Sequence, residues 1–395
     1  MRGHIRSYQL KQGQKKWAIV LFLGKDSIGK RKYRWIRGFQ TRRVADAEMR
    51  RILRSMDEGT YVEPSKETLG AFLDRWLVTY AKPNVAGKTY ERYEQIVEKD
   101  IKPSIGSITL AKLTPIHIAE FYSYALTSGR KRTEGGLSKR TVLHFHRLLR
   151  EALQQAVIWQ LRPTNPADAV EPPRPVEVEM RAVDEDRSAW LIQTVIGTRF
   201  YIPVVYGLCT GLRRGEILAQ RWQDIDFETQ SLLVSQSLEQ TRKGGLKFKI
   251  PKNRKRRRIT MPPLLIEALR AHREEQDKNR QLFGSDYKTD FDLIIALPDG
   301  SPWKPDSFTA AYARFAAKIG LKGIRFHGLR HSHASHMLRQ RVPLKTVQQR
   351  LGHANASITL NTYAHMLPGD DEEAAELIDK RLREAIKKQS GTRPN

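Results

Sequence analysis

The chain has 395 residues and carries 70 Lys and Arg against 43 Asp and Glu, a formal net charge of +27. That excess argues against an ordinary metabolic enzyme and for a polyanionic partner, most simply nucleic acid, although composition does not separate DNA from RNA or from an anionic membrane. The length suits two or three domains, the 39% hydrophobic content permits real cores, and the single cysteine, Cys209, excludes an intrachain disulfide and any Cys-rich zinc module.

The charge is unevenly spread. Residues 1–63 have a net charge of +10, residues 64–180 of +4 and residues 181–395 of +13. Within the last segment, Thr241 to Arg258 holds ten basic residues and no acidic one. The most apolar early run, Trp17 to Leu23, is too short to span a bilayer and lacks a small-residue cleavage site. A soluble cytoplasmic protein with no membrane partner is expected, and one cysteine suits a reducing compartment.

Residues 1–63 read as a small three-stranded sheet plus one helix. Trp17 to Leu23 and Arg31 to Arg37 are strand-like, joined by a Gly-bounded turn. The period of two puts Arg31, Tyr33, Trp35 and Arg37 on one face. Such a face is either a solvated charged surface or a groove-and-phosphate contact; the clustered charge favours DNA. Thr41 is the expected N-cap of a helix running to about Asp57.

Residues 64–162 read as four helices. Leu69, Phe72, Leu73, Trp76 and Leu77 have helical spacing, with an end expected before Pro83. Lys88 to Glu98 follows, closed by Pro103. Thr114 caps a third helix with Pro115 at its first position. Ser138 caps a long fourth helix whose stripe is Val142, Phe145, Leu149, Ala152 and Ala156. Lys139, Arg140 and Arg147 lie off that stripe and are candidates for DNA contact. Residues 163–180 contain Pro163, Pro166, Pro172, Pro173 and Pro175 and read as a semi-rigid linker.

Residues 181–385 are mixed. Helices are expected at Ser188–Val195, Phe200–Leu208, Arg214–Arg221 and Leu264–Gln276. Strands are expected at Trp222–Asp226, Leu232–Val234, Phe248–Ile250, Arg258–Met261 and Leu293–Ala296. An amphipathic helix runs from Asp371 to Ile386, with residues 386–395 as a tail. The whole is a multidomain α+β chain.

Three groups of residues suit phosphate chemistry. A phosphoryl-transfer site without a metal needs donors around the phosphate, a nucleophile and a proton relay. Arginine suits the first task because its fork binds two oxygens. Arg213 and Glu216, in TGLRRGE, lie three apart and by themselves read as a surface ion pair at a helix start. His327 and Arg330, in FHGLRHSHASH, also lie three apart, with His331 one turn beyond His327. Paired helical histidines also suit zinc, but no carboxylate lies among them. Leu351-Gly352-His353 is followed by Tyr363, which by itself reads as a packing residue.

The ordered set TGLRRGE, a strand-associated lysine, HGLRHSHAS, LGH and a tyrosine resembles the tyrosine recombinase (phage integrase) family, and the resemblance covers nearly the whole chain. It implies an arm-type DNA-binding domain at 1–63, a helical SAM-like core-binding domain at 64–162 and a catalytic domain at 181–385. It implies catalytic roles for Arg213, Lys252, His327, Arg330 and His353, with Glu216 in support and Tyr363 as the nucleophile. Lys252 has Lys249 and Lys255 as rivals nearby. With Arg254 and Arg256, those two are also candidates for DNA contact. Gly328 stands where relatives often carry Asp.

In the implied reaction Tyr363, its ionised form favoured by two adjacent guanidinium groups, forms a 3′-phosphotyrosine. His327 and His353 assist proton transfer at the Tyr oxygen and hold the phosphate, and no cofactor and no metal is used. The implied partners are double-stranded DNA with core- and arm-type attachment sites, three further copies of the chain in a homotetramer, a host DNA-bending protein and an excisionase. The implied setting is the bacterial cytoplasm, on the nucleoid. A catalytically silent DNA-binding regulator, a resolvase or invertase, and a metal-dependent nuclease are the alternatives. The C-terminal helix is expected to dock on a neighbouring subunit or on its own domain.

Overall fold

The computed structural model describes all residues except 1–2, 11–12, 26–28, 59–60, 62–65, 132, 177–182, 252–255, 322, 356, 358–359, 361–362, 364–370 and 391–395. It divides into two compact units, Met1–Glu177 and Val178–Asn395.

The first unit opens with an antiparallel sheet of β1 (Gly3–Gln9), β2 (Lys15–Lys25) and β3 (Arg31–Phe39), in that spatial order. β1 is the third strand of the expected sheet. It is polar and alternating, so only its pairing, Ile5 opposite Ile19, identifies it. Helix α1 (Arg42–Asp57) starts where Thr41 accepts a hydrogen bond from the Val44 N–H. Ile19 and Leu21 of β2 pack with Ala45, Ile52 and Met56 of α1. The opposite face carries Arg31, Tyr33, Trp35 and Arg37, all exposed. The Arg6 and Arg37 guanidinium groups lie 5.8 and 5.6 Å from the Trp35 ring centre. These contacts order the basic face at about 0.5–1 kcal/mol each.

The helical part of this unit contains α2 (Leu69–Trp76), α3 (Gly87–Ile96), α4 (Pro115–Ser128) and α5 (Lys139–Ile158). Two helix ends differ from expectation. α2 continues through a π turn at Leu77–Ala81 into Lys82–Asn84, and α3 through one at Val97–Ile101 into Lys102–Ile105. Both π turns immediately precede a Lys-Pro pair. A proline ring clashes with the carbonyl four residues back and donates no N–H. The wider π turn, closed by Lys82 N–H to Leu77 O and Lys102 N–H to Val97 O, lets the helix pass Pro83 and Pro103 rather than stop.

On α5 the whole expected stripe from Val142 to Ala156 is buried, while Lys139, Arg140 and Arg147 are exposed. The first part of the proline-rich stretch is not free. Arg162 is buried and donates to the carbonyls of Leu110 and Leu113, and Asn165 donates to Arg150 O. Pro166–Ala169 forms a 3-10 turn whose Ala167 lies in the helical core.

The second unit is built on α7 (Tyr201–Thr210), eight of whose ten residues are buried. Around it pack α6 (Glu185–Val195), α9 (Pro263–Phe283) and α11 (Phe326–Arg339). The helix expected at Arg214–Arg221 is shorter, α8 (Arg214–Ile217). Beyond it the backbone leaves the helix, and Gln220 O accepts from the Ile294 N–H.

A three-stranded antiparallel sheet has the order β4 (Ile225–Asp226), β5 (Ser231–Val234), β8 (Arg257–Thr260). A separate hairpin pairs β6 (Ser237–Thr241) with β7 (Gly245–Lys249). Leu293–Ala296 is not a strand; only isolated bridges, Leu293 to Arg221 and Ala296 to Pro302, are made there. α9 outruns its expected end at Gln276, because Gln276 is buried and bonds Trp222 and Leu293. Helices α10 (Pro305–Lys318), α12 (Leu344–Leu351) and α13 (Asp371–Ser390) also belong to this unit. No helix among the described residues is long and apolar enough to cross a membrane.

Candidate active site

The site forms where two helices end. α7 stops at Gly211 (φ 64°) and α12 at Gly352 (φ 65°), both left-handed caps. A side chain at either would be strained by the positive φ and would crowd the site. A Cβ at Gly211 would lie 2.6 Å from the His333 ring, and one at Gly352 would lie 2.8 Å from the Arg257 guanidinium. The two caps present carbonyls from the negative ends of their helices. Arg330 donates to Gly211 O at 2.6 Å and to Leu351 O at 2.9 Å, and Arg213 donates to Gly352 O at 3.1 Å. The glycines of TGLRRGE and LGH thus aim the two arginines. Only two of the five Arg330 N–H donors go to these carbonyls.

Glu216 ties the pair to the sheet. It is 1% exposed, so the surface ion pair expected from spacing is in fact buried. Its carboxylate accepts from the Arg213 backbone N–H at 3.1 Å and from the Arg213 side chain at 3.0 Å. It also accepts from Arg257, on β8, at 2.7 Å, and Arg257 further donates to Arg350 O at 3.0 Å. Burial pushes the Glu216 carboxyl up, but Arg257 and Arg213 outweigh it and hold it below 4.5. Arg257 was not singled out by sequence, because nothing distinguishes it from its basic neighbours until β8 aims it inward.

The remaining groups come from α11 and from the chain after α12. His327 sits at the exposed mouth. The surrounding protein, then Arg330, Arg213 and Arg214, depress its basicity. His353 is held by its own N–H to Gln348 O at 3.1 Å. Its imidazole is lowered to about 4 by burial, then by Arg330 and Arg213. Burial and Arg213 lower Arg330 to about 9, which still leaves it charged at neutral pH. Burial contributes most to these shifts, and the positive charge of Arg213 and Arg330 adds to it at His327 and His353. An open cleft of about 690 Å³ beside them is lined by Arg213, Arg256, Arg257, Arg258, Lys345 and His353 among others.

Tyr363 is 2% exposed, its ring packed with Ala334, Leu338, Val347 and Leu351. Paired guanidinium groups were expected to favour the ionised phenol. Burial wins instead: the hydroxyl is pushed up to about 12, with Arg330 only partly opposing. The Tyr363 hydroxyl lies 2.6 Å from His331 Nδ1. The sequence had placed His331 only among candidate metal ligands.

The other histidines of that run are structural. His333 Nδ1 bonds Leu208 O at 2.7 Å, and His336 Nε2 bonds Val183 O at 2.9 Å. Among the described residues no three of His, Cys, Asp and Glu are grouped as a metal would require.

Lys252, Arg254 and Lys255 lie outside the described residues, on the connection between β7 and β8. Lys249 is paired with Glu239, and Arg256 is exposed.

The phage integrase family model matches residues 192–369, and the model for the phage integrase N-terminal SAM-like domain matches residues 68–126. A tyrosine recombinase XerC-like protein of Caldanaerobacter subterraneus subsp. tengcongensis is 26% identical, over 94% of this chain and 97% of its own. The ICEBs1 integrase of Bacillus subtilis is also 26% identical, over 76% of this chain and 79% of its own. Among solved structures, the Tn1549 transposon integrase in complex with a circular intermediate DNA has a similar fold. Its TM-score is 0.65 at 20% identity, with 80% of this chain and 99% of that one covered. A lambda integrase dimer bound to a core site matches with TM-score 0.53 at 18% identity, covering 90% and 93%. With its two helix-capped arginines and its buried tyrosine, the chain belongs to the phage integrase (tyrosine recombinase) family, enzymes that cleave and rejoin DNA.

Proposed function

We propose that this chain is an integrase that inserts and excises a mobile element through a covalent 3′-phosphotyrosine intermediate. The observation that carries the reading is that His327 and His353 both lie within the electrostatic reach of Arg213 and Arg330, with the Tyr363 hydroxyl within that of Arg330.

In this reading Arg213 and Arg330 clamp the nonbridging oxygens of the scissile phosphate, and Glu216 holds Arg213 in place. The Tyr363 oxygen attacks phosphorus and the bond to the 5′-oxygen breaks. Lys252 protonates that leaving oxygen. His327 and His353 hold the phosphate. The phosphotyrosyl ester conserves the bond energy, so rejoining needs no nucleotide.

The working assembly is a tetramer on two DNA sites that resolves a Holliday junction, assisted by a host DNA-bending protein and an excisionase in the bacterial cytoplasm. Residues 1–63 take the arm-type site, 64–162 the core site and 181–385 the chemistry, with 163–180 as the connection. Helix α13, whose Leu377, Leu382 and Ile386 are 49–65% exposed, docks on a neighbouring copy.

A nicked suicide duplex tests the reading. The wild type traps a covalent protein–DNA adduct, undiminished by excess chelator. A silent regulator traps none, and a metal-dependent nuclease stops working in chelator.

The N-terminal face has its own test. In the full chain, Arg37→Ala weakens duplex binding and flattens the slope of log affinity against log salt by about 0.9, one phosphate contact. Filter binding between 50 and 200 mM salt reads this; an unchanged slope removes Arg37 from the interface.

A further inference from the structure

One buried titratable group has no part in the chemistry described so far. His331 follows Arg330 on α11, and its ring stands edge-on to that of His327 at 5.0 Å between centres. Its Nδ1 lies 2.6 Å from the Tyr363 hydroxyl, while its Nε2 is buried without a hydrogen-bond partner. For the phenol to donate to a neutral imidazole here, Nδ1 must carry the lone pair and Nε2 the hydrogen. No other side chain is hydrogen-bonded to this phenol among the described residues.

Resting on the recombinase reading above, we propose that His331 is the general base of the cleavage step, accepting the Tyr363 hydroxyl proton at Nδ1 as the phenolic oxygen attacks phosphorus. The O–H bond of Tyr363 breaks as its Oη–P bond forms. The proton goes to His331, which becomes an imidazolium. The bond from phosphorus to the 5′-oxygen breaks, and that oxygen leaves with a proton from the acid assigned to Lys252. Rejoining reverses the path: His331 returns its proton to the departing phenol, so no proton donor or acceptor is consumed over the cycle.

The surroundings support this assignment and limit its timing. His331 faces His327 and Arg330 on its own helix, Tyr363 on the following segment and His353 beyond α12. Burial first, then His327 and Arg330, lower its imidazole to about 4, so it is neutral at physiological pH and free to accept. The phenol stands at about 12. Across that gap the proton does not move ahead of attack; it moves only as the Oη–P bond drains the phenolic oxygen of its basicity. A phosphodiester seated against Arg330 adds negative charge nearby, offsets that guanidinium and favours the imidazolium. His331 thereby takes over the Tyr-side proton transfer that the family resemblance implies for His327 and His353.

Two substitutions separate the possible roles. His331→Asn places an amide oxygen near the Nδ1 position, keeping the hydrogen bond but accepting no proton. His331→Ala removes both. Single-turnover cleavage of the nicked suicide duplex is measured from pH 6 to 10, with DNA binding and melting followed as folding controls. His331→Asn is expected to cleave about 100-fold more slowly near pH 7, the usual scale of general-base assistance. Its rate should climb about tenfold per pH unit as hydroxide replaces the lost base, against a flatter wild-type profile. Asn at near wild-type rate with Ala impaired leaves His331 a positioning residue and overturns the proposal. So does an Asn defect of equal size at every pH, or a faster Ala variant, which marks a restraining contact. If the wild type itself forms no adduct, the recombinase reading fails instead. An adduct with wild type and unchanged rates in both variants defeats only the role of His331.

Discussion

Tyr363→Phe abolishes the covalent adduct on a nicked suicide duplex, by at least about 10⁴-fold in rate, a loss of the scale seen when an enzyme's nucleophile is removed. The substitution isolates chemistry from packing. The ring of Tyr363 fills a small core with Ala334, Leu338, Val347 and Leu351, and phenylalanine fills the same volume. Only the hydroxyl and its bond to His331 are lost. Leaving His331 Nδ1 unpaired costs about 1–2 kcal/mol, so the variant folds and still binds DNA. With the phenol at about 12, its ionised fraction at pH 7 is on the order of 10⁻⁵. Catalysis therefore depends on a proton acceptor in place at the moment of attack, not on a preformed phenolate. Gel-shift of adduct by denaturing electrophoresis reads the result. Equal adduct in wild type and Tyr363→Phe would falsify the nucleophile assignment.

The second large effect is structural. Glu216→Ala lowers the stability of the catalytic unit by about 3 kcal/mol, within the range for breaking a buried ion pair. That corresponds to a melting point roughly 6–12 °C lower for a unit of this size. The reason is that one carboxylate answers two guanidinium groups. Glu216 is 1% exposed, while the Arg213 and Arg257 side chains are 27% and 13% exposed, so its removal strands both in partial burial.

The same carboxylate makes stability pH-dependent. Its folded-state pKa lies below 4.5, so its contribution is complete above the unfolded value and disappears as pH falls through the folded one. Calorimetry between pH 3 and 7 should show this acid loss in the wild type and a flatter curve in Glu216→Ala. The variant also cleaves poorly, because Arg213 loses two of its anchors at once. An Ala variant that melts with the wild type and keeps its acid sensitivity removes Glu216 from this role.

Much was legible without coordinates because it depends on local rules. The stripe on α5, the caps Thr41, Thr114 and Ser138, and the outward face of β3 follow from periodicity and capping chemistry. The helix ends at Pro83 and Pro103 were misjudged for an equally local reason. A π turn rescues a proline, and no residue pattern announces it. The strand expected at Leu293–Ala296 failed because strand pairing is non-local; its partners made single bridges only. β1 could not be placed by sequence because it is polar, and only its pairing with β2 marks it as a strand.

For the site, the sequence by itself determined which residue types stand in which order, and with them the family: Arg213, Glu216, His327, Arg330, His353 and Tyr363. It also determined that charge gathers in residues 1–63 and in the run from Thr241 to Arg258, because charge is additive along a chain. Only the tertiary structure decided what each group does to the next. It turned the Arg213–Glu216 pair from a surface contact into a buried three-way bond with Arg257. It separated His333 and His336, spent on backbone carbonyls, from His331, placed on the nucleophile. It reversed the expected shift of Tyr363, since desolvation depends on packing from α11 and α12 and not on spacing. Composition counts charges, but burial and distance decide how strongly each is felt, and both are set by contacts between residues as far apart as Arg213 and Gly352.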